Sequence, residues 1–287
     1  MKRTDLIAAG IIFALILFSI YNLSRSGAAE SRDFGEKIAV LPLDGVIIDS
    51  RPFIEDLDEL ASRQNVKGIL LRINSPGGGT TASEEIYLAL LRVKKKYNKP
   101  VFAAISTMGA SGAYYAALAA DRIYSTSTSL TGSIGVIIDL PQWTRLMDQL
   151  GLDMNRFRSG DLKGAGSPYR EMSPAEKNSF QLLVDDVYDG FIHRVADHRS
   201  MTLEQVRPLA RGQAFTGRQA LEYGLVDEIG SLQDALDSLS SQLGLGENPK
   251  LIYPRKDELS LFELLFSDVQ SLFSKLHNSP TLQMIYK

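Results

Sequence analysis

Residues 103–121 read AAISTMGASGAYYAALAAD, an apolar run joined to an alanine-rich run across one serine, Ser111. The run 100–106 (PVFAAIS) predicts a strand, and residues 112–120 predict a helix directly after it. Working backward, VKGILLRINS at 66–75 is a second strand, followed by the turn-like PGGG and then TTASEEIYLALLRVKKKYNKP. In that segment Ile86, Leu90 and Val93 fall on one helical face, and Thr81 with Glu84 has capping-box spacing. Strand, glycine turn, helix and strand make a βαβ unit, so the fold class is α/β.

The pattern extends in both directions. KIAVLPLDGVII from Lys37 is a further strand that turns at Asp44-Gly45, and RPFIEDLDELASR carries helical spacing through Phe53, Leu57 and Leu60. DRIYSTSTSL and GSIGVIIDL predict short β segments after residue 120. A long helix is predicted over 174–199, with Ser173 and Glu176 as a capping box and Pro174 in its first turn. Thr202 and Gln205 repeat that spacing, and residues 215–244 read as helix, short strand, helix. The three lysines 94–96 read as a solvated helix end. Residues 259–272 predict a strongly apolar helix in a C-terminal tail.

The N-terminus has a different character. Lys2 and Arg3 precede an apolar stretch over 6–23, whose eighteen residues span about 27 Å as a helix, close to a thin hydrocarbon core. This predicts a membrane anchor with the N-terminus cytoplasmic and the rest of the chain outside the cytoplasm. A cleaved signal peptide ending near Ser26 or Ala28 is the alternative. The expected organisation is anchor at 1–23, linker at 24–36, catalytic domain at 37–244 and tail at 245–287.

Composition narrows the chemistry. The 287-residue chain is 44% hydrophobic and carries a net charge of −3, which gives no footprint for nucleic acid. It has no cysteine, which excludes disulfides, thiolate catalysis and sulfur-bound zinc. Ser111 reads either as a packing residue where bulk is forbidden or as a nucleophile at a strand-to-helix turn. A nucleophile needs a base. The histidines are His193, His198 and His277; the first two are five residues apart, a poor offset for a shared face, and no HExxH pattern is present. They read as surface or packing residues.

A lysine can serve instead. An ordinary lysine titrates at about 10.4 and is protonated at neutral pH, so a lysine base has to be desolvated or set beside another cation. FRSGDLKGAGSPYR places Lys163 among glycines, where the chain can pass close to other backbone, although a loop lysine fits the same pattern and Asp161 is a candidate ion-pair partner. For the oxyanion of amide hydrolysis, backbone N–H groups are needed. NSPGGG offers Gly77, Gly78 and Gly79, and Gly112 follows the serine. No GxxxxGK[ST] or GxGxxG pattern favours a phosphate instead.

The stretches GVI, GILLRINSPGGG, KPVFAAISTMGASGAYYAALAAD, TGSIGVI, SGDLKGAGSPYREMSP and FTGRQALEYGLVDEIG, in order over 38–240, resemble the short, single-domain form of the signal peptide peptidase SppA family. The resemblance implies a Clp-protease/crotonase-like α/β fold of repeated ββα units behind one transmembrane helix. It implies Ser111 as nucleophile, Lys163 as general base, Ser133 orienting the lysine amine, and an oxyanion hole of the Gly78 and Gly112 N–H groups. It further implies remnant signal peptides as substrates, no metal or cofactor, and a homo-oligomer, octameric in the short form of the family, whose sites are shared between subunits. Three other readings compete. A Ser–His–Asp peptidase on the same fold lacks a histidine between Ser111 and His193. A crotonase acting on acyl thioesters sits poorly with a membrane anchor. A non-enzymatic scaffold would have no use for Ser111, Lys163 and Ser133 together.

Overall fold

The computed structural model describes residues 35–255 and 283–285. The expected anchor, tail helix and His277, and the linker up to residue 34, lie outside these residues. The described residues from Glu36 onward form one compact unit.

The chain enters through β1 (Lys37–Ile47), α1 (Arg51–Ser62), β2 (Val66–Gly79), α2 (Thr80–Tyr97), β3 (Val101–Ala110) and α3 (Gly112–Ala117). Short strands follow at β4 (Arg122–Ser125) and β5 (Leu130–Gly132), then α4 (Thr144–Leu150) and the long α5 (Pro174–Arg199). The remainder is α6 (Leu203–Val206), β6 (Ala214–Thr216), α7 (Gly217–Glu222), β7 (Glu228–Ile229), α8 (Leu232–Leu243), β8 (Lys250–Ile252) and β9 (Gln283–Ile285).

β1, β2 and β3 are parallel, in a register that aligns Leu41 with Leu71 and Leu71 with Ala103. β8 adds parallel to β1, so part of the segment expected as tail is an edge strand. The far edge of β3 is shared: β4 pairs with its first half and β5 with its last residues. β6 runs antiparallel on β5, and β7 parallel on β4.

Helices on both faces explain why these strands read as unbroken apolar runs rather than alternating ones. Ala39, Leu41, Ile69, Leu71 and Ala103 face Leu57 and Leu60 of α1, Ile86, Leu90 and Val93 of α2, and Phe191 of α5. Ile38, Val40, Leu70 and Phe102 face Ala235, Leu236 and Leu239 of α8. The result is a mixed α/β structure built on a largely parallel sheet.

Four expectations change. PGGG is the last third of a fourteen-residue strand, because Val46 and Ile47 continue beside Gly77 and Gly78. Thr81 caps nothing: the strand persists to Gly79 and the helix begins at Thr80, leaving Thr81 inside the first turn. GSIGVIIDL is not a strand beyond one bridge residue, because Ser133 turns the backbone out of the sheet with φ 48°. Lys94 is not merely solvated; its Nζ donates to the Ala119 carbonyl at 2.9 Å and pairs with Asp121 at 2.7 Å. The capping boxes at Ser173/Glu176 and Thr202/Gln205 form as read.

Candidate active site

In open α/β sheets the carboxyl ends of parallel strands are where ligands meet side chains. Here β2, β3 and β5 end together. Ala110 pairs with Gly132, which sets Ser111 beside Ser133. The Ser111 N–H donates to the Gly132 carbonyl at 2.8 Å. Ser111 is 1% exposed and has φ 53°, ψ −121°. A non-glycine residue with positive φ costs about 1–3 kcal/mol and persists only where the surroundings enforce it. A sharp strand-to-helix turn of this kind can present a serine as a nucleophile.

Gly112 and Gly78 face each other across that turn. A Cβ built on Gly112 would lie 2.2 Å from Ser83 Oγ and 3.3 Å from Gly78 N. One built on Gly78 would lie 2.0 Å from the Ile47 carbonyl oxygen. Neither position tolerates a side chain, and the Gly78 nitrogen lies over the Gly112 Cα, directly after Ser111. The edge of Gly77–Gly79 also holds an extended segment: β9 pairs antiparallel with it, Met284 opposite Gly78.

Ser133 is buried, with φ 48°. Its N–H donates to the Gln213 carbonyl at 2.9 Å and its hydroxyl to the Gly212 carbonyl at 3.4 Å. It opens onto a cavity of about 260 Å³ lined also by Val136, Ile137 and Tyr188.

No hydrogen bond or ion pair among the described residues brings Lys163 to this cluster. It is exposed, on a turn-rich segment, and makes no hydrogen bond or ion pair among the described residues. Asp161 is exposed too and does not pair with it. The backbone beside it is nonetheless held. The Gly164 carbonyl accepts from Arg156 Nη1 at 2.9 Å and from Arg170 Nη2 at 3.4 Å. Arg170 donates through both terminal nitrogens to Glu176, whose carboxylate is 1% exposed. Those bonds, and the Ser173 N–H donating at 2.9 Å, hold the Glu176 pKa down at about 2.

Neither of the two described histidines hydrogen-bonds to Ser111. His193 is exposed. His198 shares a 2.6 Å hydrogen bond with the Tyr87 hydroxyl, and burial lowers its pKa. Sequence reading singled out neither Ser83 nor the Arg170–Glu176 pair. The first is an ordinary serine in a helical run. The second was visible only as a capping glutamate, since its arginine partner is fixed by the turn between them.

The model of peptidase family S49 matches residues 93–246, a span that includes Ser111, Gly112, Ser133 and Lys163 but not Gly78. The chain is 36% identical to "Putative protease MJ0651" of Methanocaldococcus jannaschii, over 93% of this chain and 91% of that protein. It is 37% identical to "Putative signal peptide peptidase SppA" of Enterococcus faecium, over 76% of this chain and 67% of that one. "Protease 4" of Haemophilus influenzae is 29% identical over 89% of this chain and 44% of its own length.

Proposed function

Because the chain belongs to peptidase family S49 and is a serine peptidase, we propose that it is an endopeptidase that cuts extended apolar peptides with a serine–lysine pair. Ser111 is the nucleophile and Lys163 the general base. The observation that carries this reading is Gly78 N beside Gly112, immediately after a buried, left-handed serine.

The chemistry follows from those positions. A neutral Lys163 amine takes the Ser111 proton as Oγ attacks the peptide carbonyl. The N–H groups of Gly78 and Gly112 hold the oxyanion of the tetrahedral intermediate. The protonated amine then gives its proton to the leaving nitrogen, and the acyl-enzyme is hydrolysed by a water that the lysine activates. Ser133 orients the amine, next to the cavity beside Val136 and Tyr188. The edge of Gly77–Gly79 receives substrate as an added strand, the mode in which main-chain bonds give affinity and side-chain pockets give selectivity. Pairing of β9 with that edge supports this.

Assembly belongs to the same proposal. Lys163 has no hydrogen-bond or ion-pair partner among the described residues, and the segment that carries it exposes Trp143, Leu146, Leu150, Leu152 and Phe157. An apolar surface of this kind marks an interaction face. A homo-oligomer, octameric in the family form it resembles, brings the Lys163 of one subunit to the Ser111 of its neighbour. The Clp-protease/crotonase-like arrangement of ββα units and the anchor over 6–23 complete the reading. The catalytic domain lies outside the cytoplasm, where remnant signal peptides in the bilayer are within reach.

The test is hydrolysis of an apolar fluorogenic peptide by the full chain, by Ser111→Ala and by Lys163→Ala, with assembly measured in the same samples. Loss of turnover in both assembled variants supports the pair. Full turnover in assembled Lys163→Ala removes lysine as the base, and full turnover in Ser111→Ala removes the whole mechanism.

A further inference from the structure

We propose that Ser83 is a positioning residue of the oxyanion site: its buried hydroxyl sets the separation between the Gly78 and Gly112 N–H groups. The inference rests on the serine-peptidase mechanism proposed above.

Ser83 lies in the first turn of α2 and is 0% exposed. Its hydroxyl donates to the Gly79 carbonyl at 2.9 Å. Gly79 is the junction between β2 and α2 and has no side chain with which to cap the helix. The Ser83 hydroxyl therefore ties the end of the glycine strand to the helix that follows.

The same oxygen packs against the other donor. A Cβ on Gly112 would meet Ser83 Oγ at 2.2 Å and Ser83 Cβ at 3.1 Å, so Ser83 fills the space over the Gly112 Cα. Gly78 is fixed on its own side by the Ile47 backbone, at 2.0 Å from an added Cβ. One strand end is thus pinned to β1 while Ser83 spans from it to the start of α3. Ser83 is the side chain that touches both segments bearing the proposed donors.

An oxyanion is stabilised only when both donors lie about 2.7–3.1 Å from one oxygen position. The substrate carbonyl carries less charge than the oxyanion and is less sensitive to that spacing. Loss of the Ser83 hydroxyl leaves the Gly79 carbonyl without this bond and opens room above Gly112. The two donors then relax apart, and the loss falls on the transition state rather than on substrate binding. Ser83 itself is enclosed and touches neither substrate nor the reacting atoms.

The experiment compares full-length parent, Ser83→Ala, Ser83→Cys and Ser111→Ala on one apolar fluorogenic peptide. Inhibition by the matching peptide aldehyde, which forms an oxyanion on the serine, and by the peptide alcohol, which cannot, is measured alongside Tm and assembly. The expected result for Ser83→Ala is a fall in kcat of roughly tenfold, below the ~10²–10³ lost with a whole donor, with KM within about twofold. Aldehyde affinity falls in parallel, alcohol affinity does not, and Tm and assembly are kept. Ser83→Cys, with a weakly donating thiol, falls between parent and alanine; it carries the same inhibitor comparison should Ser83→Ala fail to fold. The proposal is overturned if kcat is unchanged in the folded variants, or if aldehyde and alcohol weaken alike. A fully active Ser111→Ala would instead overturn the mechanism on which it rests.

Discussion

Ser111 and Ser133 stand side by side at the ends of two paired parallel strands, and both hold left-handed backbone, with φ 53° and 48°. Two adjacent serines in that conformation are not a packing accident, since glycine would fill either position at less cost. Their hydroxyls are what is kept. Ser133 separates backbone from hydroxyl cleanly. Ser133→Gly removes the hydroxyl and relieves the positive φ, so Tm holds or rises while kcat falls by about 10–100-fold, the scale of a lost orienting contact. Ser133→Ala loses kcat equally and keeps the strained backbone. Ser133→Gly with parental kcat would assign Ser133 to the turn alone.

Gly78 is a position where a single methyl meets backbone at once. Its Cβ would sit 2.0 Å from the Ile47 carbonyl oxygen, and both atoms belong to paired strands that cannot part without breaking the ladder. Gly78→Ala is expected to lower Tm by several degrees and to cut kcat by at least ~10²-fold, as loss of an oxyanion donor does. Thermal melting and turnover on one preparation check both. A variant as stable and as active as the parent would show that β1 and β2 can separate there.

The parallel core was legible because burial on both faces leaves its mark in sequence: IAVL at 38–41 and ILL at 69–71 do not alternate. What misled were segments whose partner lies far along the chain. PGGG carries the residues of a turn, and only Val46, Ile47 and Met284 make it a strand. GVII after Ser133 is rich in β-branched residues, yet that serine steers it off the sheet. In the site, Gly112 and Ser111 were readable from the strand–serine–helix pattern. The approach of Gly78 to Gly112, the wedge of Ser83 and the grip of Arg170 on Gly164 are products of packing between residues far apart in sequence or of turn geometry. Lys163 is the converse case: its glycine setting singled it out, while the described residues of one chain give it no partner.

Glu176 links acid stability to the segment that carries Lys163. Its carboxyl titrates at about 2 in the folded chain, below the ordinary 4.5, because Arg170 and the Ser173 N–H bond to the charged form. A depressed folded value contributes stability that is complete above the unfolded pKa and is lost as pH falls from about 4.5 toward 2. Glu176→Gln removes the charge at every pH. The variant is expected to melt a few degrees lower at pH 7 and to show a smaller further loss between pH 4.5 and 2 than the parent. Its peptide turnover also falls, since Arg170 no longer holds the Gly164 carbonyl firmly. Parallel melting curves for parent and variant across that range would refute the linkage.

The β9 segment occupies the edge proposed to receive an extended substrate. An intramolecular occupant competes at an effective concentration of order mM, so it depresses turnover unless it is displaced. Deleting residues 281–287 is expected to raise kcat/KM for short peptides by about 3–10-fold through KM, with kcat unchanged. The synthetic peptide TLQMIYK then inhibits the truncated protein competitively. Equal kinetics before and after deletion, with no inhibition by the peptide, would show that the segment leaves the edge freely.

The exposed, unpartnered Lys163 sets the last expectation. If the base of each site comes from a neighbouring subunit, Ser111→Ala and Lys163→Ala are each inactive alone but complementary in a mixed assembly. A subunit retaining Ser111 then meets one retaining Lys163 wherever the two alternate in the right order. With random mixing at equal amounts, each shared site draws its serine and its lysine independently, so about one site in four is intact. Turnover near a quarter of the parent's is therefore expected after subunit exchange, rising and falling with the product of the two fractions. Exchange is verified separately by mixing differently tagged subunits and recovering both tags together. A site built within one chain behaves differently: every subunit then carries one lesion, and no mixing ratio restores activity. Confirmed exchange without recovery would place the Lys163 of each chain at its own Ser111, and would require the segment around Gly164 to move there from the position Arg156 and Arg170 now hold.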